Sequence, residues 1–423
     1  MSLDRTVAPA FQTIENISFP ALEKVILDNN LPLHVINIGQ QSVFRLDVVF
    51  EAGTWYETSP NTSFFTSKML SEGTKHHSSL QISEYFDGLG AFLELNQGFE
   101  RSNVSVYGLT KHLEAVLVMV REMIFEATFP EKELENIKKT TKQGLKINLE
   151  KNAYIANIHV KEKLFGATHP YGRVLKEAYI EKIDTEITKK FYEDNIQNRS
   201  FSVFLSGKIS KTETDLVNQY LGQHTVNQEN IQKSKHEIKS DLTDWYLEKP
   251  DAMQSSVRLG RLLFTRNHPD FFPFIVCNEI LGGYFGSRLM KNIREEKGFT
   301  YGISSSLLPM REAGYWNIST DVKKESREAT FNEIEKEIKR LQTELVPAEE
   351  LETAKNFMAG SFAGSLNTPF EIADRVRLIV QENLTPDYYN QYIGKIRAIT
   401  SQQIQEMANK YMNFEDLMKI SVG

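Results

Sequence analysis

The sequence predicts a protein of mixed α and β structure that is a tandem duplication of one domain. The segment QSVFRLDVVF at 41–50 resembles QSSVRLGRLLF at 254–264, with Arg45 matching Arg258 at an offset of 213 residues (258 − 45). Three further matches follow in the same order: 129–139 with 346–356, 187–188 with 399–400, and apolar strands ending at Gly207 and Gly423. All four offsets fall between 212 (399 − 187) and 217 (347 − 130) residues, which favours duplication over chance.

Each copy contains segments with the period of a strand and segments with the period of a helix. Apolar and β-branched residues predict strands such as 43–50, and apolar residues at helical spacing predict helices such as 113–125. A long helix is expected to begin at Pro130 and to run to about Glu150, because proline is tolerated in the first helical turn. Pro347 has the same place in the second copy.

Length and composition agree with two globular domains. The chain has 423 residues, of which 40% are hydrophobic and 25% charged, so two cores of ordinary size can form. We predict an N-terminal extension over 1–20, a first domain over 21–208 and a second domain over 251–423. The stretch 209–250 is polar and includes the charge run KSKHEIKSD, so we predict a solvated linker there.

Charge and apolar runs argue against several function classes. The formal net charge is -7, which gives no basic surface for nucleic acid or an anionic membrane. No run approaches the ~20 apolar residues of a membrane span, and the first residues lack the apolar stretch of a signal peptide. The single cysteine, Cys277, lies in an apolar helical pattern and is expected to be a packed thiol. A cytoplasmic location is expected; whether a leader has been removed is left open.

Four motifs in the first copy resemble the first domain of insulinase-type (pitrilysin-like, M16) zinc peptidases. They are AGTWYE at 52–57, MLSEGT at 69–74, SLQISEYFDGLGA at 79–91 and THPYGR at 168–173. With the duplication, the resemblance covers the chain from about residue 20 to residue 423. It implies an α+β fold in which each copy is a mostly antiparallel sheet packed with helices.

The same resemblance identifies what the chain lacks. Catalytic members carry His-x-x-Glu-His on the helix before the MLxxGT motif, where two histidines bind zinc and the glutamate is the general base. The corresponding positions are Phe64, Ser67 and Lys68, and neither a phenyl ring nor an ammonium group can bind zinc. The family's third ligand, a glutamate, is expected within 140–149, which contains no carboxylate. Glu150 lies just beyond and is expected to be a surface residue.

The nine histidines do not supply a replacement motif. His76 and His77 are adjacent and would point about 100° apart on a helix. His159 and His169 are ten residues apart, with no acidic partner at ligand spacing. Each is expected to be a surface or capping histidine. We therefore predict that this chain alone binds no cofactor and that zinc is bound by a partner subunit.

The second copy keeps a residue pair that the family uses in catalysis. The segment LGGYFGSRLMKNIREEKGFTYG at 281–302 contains Arg294 and, seven residues later, Tyr301. The resemblance implies that both face the zinc site of the other half of the enzyme. When zinc-activated water attacks a peptide bond, negative charge develops on the carbonyl oxygen. A tyrosine hydroxyl can donate a hydrogen bond to that oxygen, and a guanidinium can bind an adjacent carbonyl of the substrate. The alternatives are an ion pair of Arg294 with Glu295 or Glu296, and a core position for Tyr301.

A peptide-binding strand is a further prediction, at Leu93, Glu94, Leu95 and Asn96. In the family this strand is a sheet edge that pairs with an extended substrate. Edge pairing uses backbone groups, so side-chain changes need not abolish it. An ordinary edge strand without a ligand is an equal alternative.

Together with the resemblance, these features predict a non-catalytic subunit of a heterodimeric zinc metallopeptidase that cleaves peptides in an enclosed chamber. The partner is expected to be a zinc-bearing paralogue; a homodimer in isolation is left open. Alternatives are a structural scaffold resembling the core proteins of respiratory complexes, an inactive homodimeric peptide-binding protein, and a relative of the alpha subunit of mitochondrial processing peptidase. That alpha subunit has a long glycine-rich loop, for which LGGYFGSRL is too short and bulky. A self-sufficient zinc peptidase is the least compatible alternative.

Overall fold

The computed structural model describes residues 6, 13–20, 22–227 and 235–423. The chain divides into two compact units, which we call the N-terminal unit and the C-terminal unit. The N-terminal unit comprises residues 20–251, 368–377 and 419–423. The C-terminal unit comprises residues 252–367 and 378–418, together with the described residues among 1–19.

Among the described residues, the first sheet has six strands. They are β1 (Glu23–Ile26), β2 (Pro32–Asn37), β3 (Val43–Phe50), β4 (Phe92–Gln97), β5 (Ser102–Leu109) and β6 (Phe201–Gly207). Their order is β1-β2-β6-β3-β5-β4, and neighbouring strands are antiparallel except for the parallel pair of β2 and β6. β1 and β4 are therefore the edges of this sheet.

The second sheet that the structure describes has five strands. They are β7 (Trp245–Leu247), β8 (Gln254–Leu263), β9 (Thr300–Pro309), β10 (Gly314–Lys323) and β11 (Met418–Val422). Their order is β7-β11-β8-β10-β9, with β7 parallel to β11 and β10 antiparallel to β8 and β9. Position by position, this order repeats β2-β6-β3-β5-β4 of the first sheet. The predicted duplication and the α+β fold are confirmed.

Helices follow the strands in both copies. They are α1 (Thr62–Met69), α2 (Ser79–Leu89), α3 (Leu113–Phe125), α4 (Glu131–Glu150), α5 (Asn152–Phe165), α6 (Glu177–Glu181), α7 (Thr185–Tyr192), α8 (Lys211–Val217), α9 (Phe271–Asn278), α10 (Arg327–Thr343), α11 (Ala348–Gly364), α12 (Pro369–Gln381), α13 (Tyr392–Arg397) and α14 (Ser401–Tyr411). The helix expected at Pro130 is α4, and its counterpart after Pro347 is α11. Within the described ranges, no helix is long and apolar enough to cross a membrane.

Helix α3 shows how the sequence forms the core of the N-terminal unit. Helix α3 buries Val116, Leu117 and Val120 completely, because its apolar residues recur at helical spacing.

In the C-terminal unit, α9 contributes Cys277, which is fully buried, and its sulfur lies 3.7 Å from the sulfur of Met412. Burial raises the pKa of the Cys277 thiol to about 12, so it is a packed and unreactive side chain.

Strand β3 also carries two buried charges that the first turns of α12 cover. Arg45 and Asp47 are 5% and 2% exposed, and the Arg45 Nε atom lies 3.0 Å from the Asp47 carboxylate. Asp374 lies 2.9 Å from Arg45, and Arg377 lies 3.1 Å from Asp47. Each buried charge therefore has an opposite charge beside it, which offsets the cost of its burial.

The predicted linker 209–250 contains more regular structure than its polar composition indicates. Residues 228–234 lie outside the described part of the chain. Ahead of them, α8 begins with a capping box formed by Ser210 and Glu213, and Val217 packs into the core of the N-terminal unit. Behind them, residues 245–247 form β7.

The predicted N-terminal extension contributes to packing where it is described. Residues 1–5 and 7–12 lie outside the described residues. Ile14, Ile17 and Phe19 pack against an apolar cluster of the C-terminal unit, where the ring of Phe19 stacks on Tyr389 at 5.2 Å. Apolar side chains at these positions therefore give this segment a fixed place in that unit.

Candidate functional site

A buried carboxylate fixes the start of α1. The Glu57 side chain is 1% exposed, and one of its oxygens accepts hydrogen bonds from the backbone N–H and hydroxyl of Ser63, at 3.0 and 2.6 Å. The other oxygen accepts from the Asn61 N–H at 3.0 Å and from Arg173 at 2.8 Å. Burial raises the pKa of Glu57, whereas Ser63 and Arg173 lower it. The motifs AGTWYE and THPYGR therefore meet at the first turn of α1.

The three positions of the zinc motif all lie on α1, but their side chains do not converge on a metal site. Phe64 is half-buried, packs against the core and meets Phe65 edge-on at 5.2 Å. Ser67 is 3% exposed, and its hydroxyl has no hydrogen-bond partner among the described residues. Lys68 is exposed. A phenyl ring, one hydroxyl and an ammonium group do not fit zinc, which requires imidazole, thiolate or carboxylate ligands.

Helix α4 does not supply the third ligand either. Within 140–149 the Thr140 hydroxyl donates to the Asn136 carbonyl at 3.0 Å, and Lys142 pairs with Glu181 at 3.1 Å. Glu150 is exposed at the end of the helix, as expected. In the part of the chain that the structure describes, no three His, Cys, Asp or Glu side chains are grouped so that they could hold a metal ion.

The adjacent pair His76 and His77 is bound to two glutamates of the α3 region. His77 Nδ1 lies 2.8 Å from Glu122, and His76 Nε2 lies 3.4 Å from Glu126. The Glu122 carboxylate also accepts a hydrogen bond from the Thr74 hydroxyl at 3.0 Å. These contacts hold the turn between α1 and α2 and give both histidines a structural role.

The other two histidines differ from the expectation in one respect each. His159 does have an acidic neighbour, since Glu162 lies 3.6 Å away across one helical turn. His169 is not a surface residue: it is 2% exposed, and its Nδ1 accepts a hydrogen bond from the Tyr171 N–H at 3.1 Å. Burial, with smaller contributions from His236 and Arg173, lowers the pKa of His169 to about 4.

Two buried histidines are each expected to make a destabilising contribution in mild acid. Burial lowers the pKa of His34 and of His169 to about 4, against 6.5 for a free side chain. Between these values each of the two histidines binds a proton more readily in the unfolded chain, so its contribution to stability falls as pH decreases from 7 towards 4. Glu279 acts in the opposite direction, because burial raises its pKa to about 7. We expect each histidine to contribute about 2 kcal/mol to the difference between pH 7 and pH 5.

Urea unfolding at the two pH values measures this difference. His169→Asn keeps an acceptor for the Tyr171 N–H and removes the titration, so its stability should change by about 2 kcal/mol less in the destabilising direction than that of the wild-type chain between pH 7 and pH 5. His76→Asn is the control, because the His76 side chain is 63% exposed. An unchanged pH dependence in His169→Asn would show that acid sensitivity arises elsewhere.

The predicted peptide-binding strand is an edge strand of the first sheet. Leu93, Glu94, Leu95 and Asn96 lie within β4, which pairs with β5 alone in the described sheet. Leu93 lies opposite Val106 in the antiparallel register. The outer backbone edge of β4 is therefore the side on which a further strand could add.

Arg294 and Tyr301 lie at a junction of helix and strand in the C-terminal unit. Arg294 belongs to the helical segment Met290–Glu296, and Tyr301 is the second residue of β9. A backbone hydrogen bond from the Phe299 N–H to the Ile293 carbonyl, at 3.0 Å, fixes the turn between them. Tyr301 is 91% exposed, so the core alternative is wrong for this side chain.

The guanidinium of Arg294 has few contacts. It lies 3.7 Å from the Glu295 carboxylate and 4.4 Å from the ring centroid of Phe285, and it has no hydrogen-bond partner within the described residues. The ion pair with Glu295 is therefore present but is long and exposed, which limits its strength. Its N–H donors can therefore bind a ligand without breaking a hydrogen bond to the described residues.

A buried polar network behind β9 was not anticipated from the sequence. The Asn278 side chain donates to the Ser305 carbonyl at 2.9 Å, and its oxygen accepts from the Ser305 hydroxyl at 2.5 Å and the Trp316 N–H at 2.9 Å. Arg288 also binds Glu350 through two hydrogen bonds of 2.9 Å. These hydrogen bonds join the segment 278–288 to β9, β10 and α11. No motif in the sequence marks them, because their partners are distant in the chain.

Comparisons with known proteins agree with this structure. Residues 35–171 match the family model described as insulinase (peptidase family M16), and residues 182–358 match the model described as the peptidase M16 inactive domain. The chain is 22% identical over 394 residues to the uncharacterized zinc protease YmxG of Bacillus subtilis, covering 92% of this chain and 93% of the relative. It is 25% identical over 367 residues to the non-peptidase homolog YmxG of Helicobacter pylori, covering 82% and 79%.

A solved structure supports the fold independently. The crystal structure of a peptidase M16 inactive domain from Pseudomonas fluorescens superposes with a TM-score of 0.83 at 23% identity, covering 95% of this chain and 98% of that chain. Both family models are M16 models, and together they match residues of both copies, from 35 to 171 and from 182 to 358. The chain therefore belongs to the M16 (insulinase) peptidase family, and it has phenylalanine, serine and lysine at the positions of the zinc motif.

Proposed function

We propose that this chain is the non-catalytic subunit of a two-chain zinc metallopeptidase, and that it supplies Arg294 and Tyr301 in trans to a zinc site on an M16 paralogue. The observation that carries the proposal is a contrast between the two copies. Helix α1 of the first copy has no side chain suited to zinc, whereas the second copy presents an exposed tyrosine and an arginine whose guanidinium has no hydrogen-bond partner among the described residues.

Cleavage of a peptide bond requires stabilisation of the charge that develops on the carbonyl oxygen. The Tyr301 hydroxyl, on a side chain that is 91% exposed, can donate a hydrogen bond to that oxygen. The Arg294 guanidinium can donate two hydrogen bonds to a neighbouring carbonyl. Water activation is assigned to the paralogue, whose His-x-x-Glu-His motif brings zinc and a general base.

The substrate class that suits this arrangement is an extended peptide. Both proposed side chains bind carbonyl oxygens, which every peptide carries. Strand β4, at the edge of the first sheet, offers backbone groups for pairing with an extended segment. We assign Leu93, Glu94, Leu95 and Asn96 to this role, and an enclosed chamber between the two chains would restrict substrates to peptides and unfolded segments.

Reconstitution tests the proposed function. The purified chain alone should contain far less than one zinc ion per chain by metal analysis and should not cleave a fluorogenic peptide. Mixed with an M16 paralogue from the same organism that carries His-x-x-Glu-His, it should form a complex with one zinc ion per pair of chains and peptidase activity above that of the paralogue alone.

Two results would reject this assignment. One zinc ion per chain in the isolated protein, or peptide cleavage by it, would make it a self-sufficient peptidase. A complex that forms with wild-type affinity but whose activity is insensitive to changes at Arg294 and Tyr301 would favour the structural scaffold.

A further inference from the structure

The Arg294 guanidinium is in contact with an aromatic ring that the proposed function does not use. Phe285 lies in the turn before the helical segment of Arg294, and its ring centroid is 4.4 Å from the guanidinium carbon. Phe285 is 61% exposed although it is a large apolar side chain. An exposed phenylalanine in van der Waals contact with a cation is a cation–π pair rather than part of the core.

The backbone that carries Phe285 is tightly constrained. A Cβ atom on Gly282 would lie 2.7 Å from the Ser305 Cβ atom and 3.0 Å from the Ser305 backbone nitrogen, so this position leaves no room for a side chain. The Ser287 N–H donates to the Tyr284 carbonyl at 3.1 Å, which closes the turn. Arg288, the residue after Ser287, is held by its paired hydrogen bonds to Glu350. The ring of Phe285 is therefore presented from a rigid turn.

Arg294 has no comparable anchor of its own. Its remaining described contact is the 3.7 Å ion pair with Glu295, whose carboxylate is 49% exposed. A free arginine side chain loses considerable rotamer entropy when a ligand immobilises it. A ring that covers one face of the guanidinium restricts those rotamers and leaves the N–H donors, which lie in the plane of the group, open at its edge.

We infer that Phe285 is a positioning residue: its ring holds the Arg294 guanidinium so that the in-plane donors meet a carbonyl oxygen of the peptide substrate. This inference rests on the proposed function, since it gives Arg294 a peptide ligand. Phe285 acts through Arg294 and not by direct contact with the reacting atoms.

Two substitutions distinguish the effect of the aromatic ring face of Phe285 from the effect of its apolar volume. Phe285→Leu keeps an apolar side chain but removes the π face, whereas Phe285→Tyr keeps the face. In the complex with the zinc-bearing paralogue, Phe285→Leu should lower kcat/KM by about 2- to 5-fold, and Phe285→Tyr should restore it to within a factor of about 1.5. In an Arg294→Ala background, Phe285→Leu should cause no further loss.

A spectroscopic readout checks the position of Arg294 without a partner. In arginine-labelled protein, the side-chain resonances of Arg294, assigned by their loss in Arg294→Lys, should show an upfield ring-current shift. That shift should disappear in Phe285→Leu and remain in Phe285→Tyr. Because Phe285 is 61% exposed, neither substitution threatens folding.

The outcomes distinguish this inference from the proposed function. If Arg294→Ala lowers kcat/KM but Phe285→Leu changes neither kcat/KM nor the Arg294 resonances, the positioning role is wrong and the proposed function stands. If Phe285→Leu lowers kcat/KM equally in the Arg294→Ala background, the ring acts on substrate directly and the inference is overturned. If Arg294→Ala itself has no effect, both fail.

Discussion

Tyr301→Phe is expected to lower kcat/KM of the two-chain peptidase by about 10²- to 10³-fold, the typical cost of removing one oxyanion donor. The substitution deletes a single hydroxyl from a side chain that is 91% exposed and has no hydrogen-bond partner among the described residues. The folded chain and its association with the paralogue should therefore be unchanged. Steady-state kinetics with a fluorogenic peptide, together with the measured affinity between the chains, give the comparison.

The loss should fall mainly on kcat. A hydrogen bond that forms only when the oxyanion develops stabilises the transition state and not the bound substrate, so KM should change little. Tyr220→Phe is a matched control, since it removes an exposed hydroxyl bonded to Glu114 in the N-terminal unit. Wild-type kinetics in Tyr301→Phe would show that this hydroxyl takes no part in catalysis.

Arg173→Ala is expected to destabilise the N-terminal unit by about 3–5 kcal/mol. The substitution leaves the Glu57 carboxylate, 1% exposed, without its 2.8 Å cationic partner. A buried charge that loses its partner is costly, and this charge also caps the first turn of α1 through Ser63 and Asn61. Urea unfolding at neutral pH measures the loss, and amide exchange in α1 should accelerate with it.

A second substitution tests the cause of that destabilisation. Glu57→Gln in the Arg173→Ala background removes the unpaired charge and keeps an acceptor for the Ser63 N–H, so it should recover part of the lost stability. Arg121→Ala is the control, since its side chain is 40% exposed and its pair with Glu126 should contribute less than about 1 kcal/mol. A similar loss in Arg121→Ala and Arg173→Ala would contradict a special role for burial.

The duplication could be predicted from the sequence because it repeats local patterns. The match of Arg45 with Arg258 places these residues on β3 and β8, which are the third strands of the repeated order. Prolines at 130 and 347 precede α4 and α11 for the same stereochemical reason. The changes in the zinc motif could also be recognised from the sequence, since its three positions lie within five consecutive residues of α1.

The contacts that fix the site could not be predicted in this way. Glu57 and Arg173 are 116 residues apart, and Asp47 and Arg377 are 330 apart, so no periodicity links the partners of either pair. No feature of the sequence distinguishes Phe285 from other apolar residues, and only the fold brings its ring close to Arg294. The burial of His169 likewise follows from the packing of Trp55 and Tyr171 around it.

The most direct measurement compares kcat/KM of the zinc-bearing paralogue in three samples. The paralogue is measured alone, with a saturating concentration of the wild-type chain, and with a saturating concentration of the Arg294→Ala/Tyr301→Phe double variant. The wild-type chain should raise peptidase activity strongly. The double variant should bind the paralogue with equal affinity and leave activity close to that of the paralogue alone. Equal activity with the wild-type chain and the double variant would contradict the supply of these residues in trans.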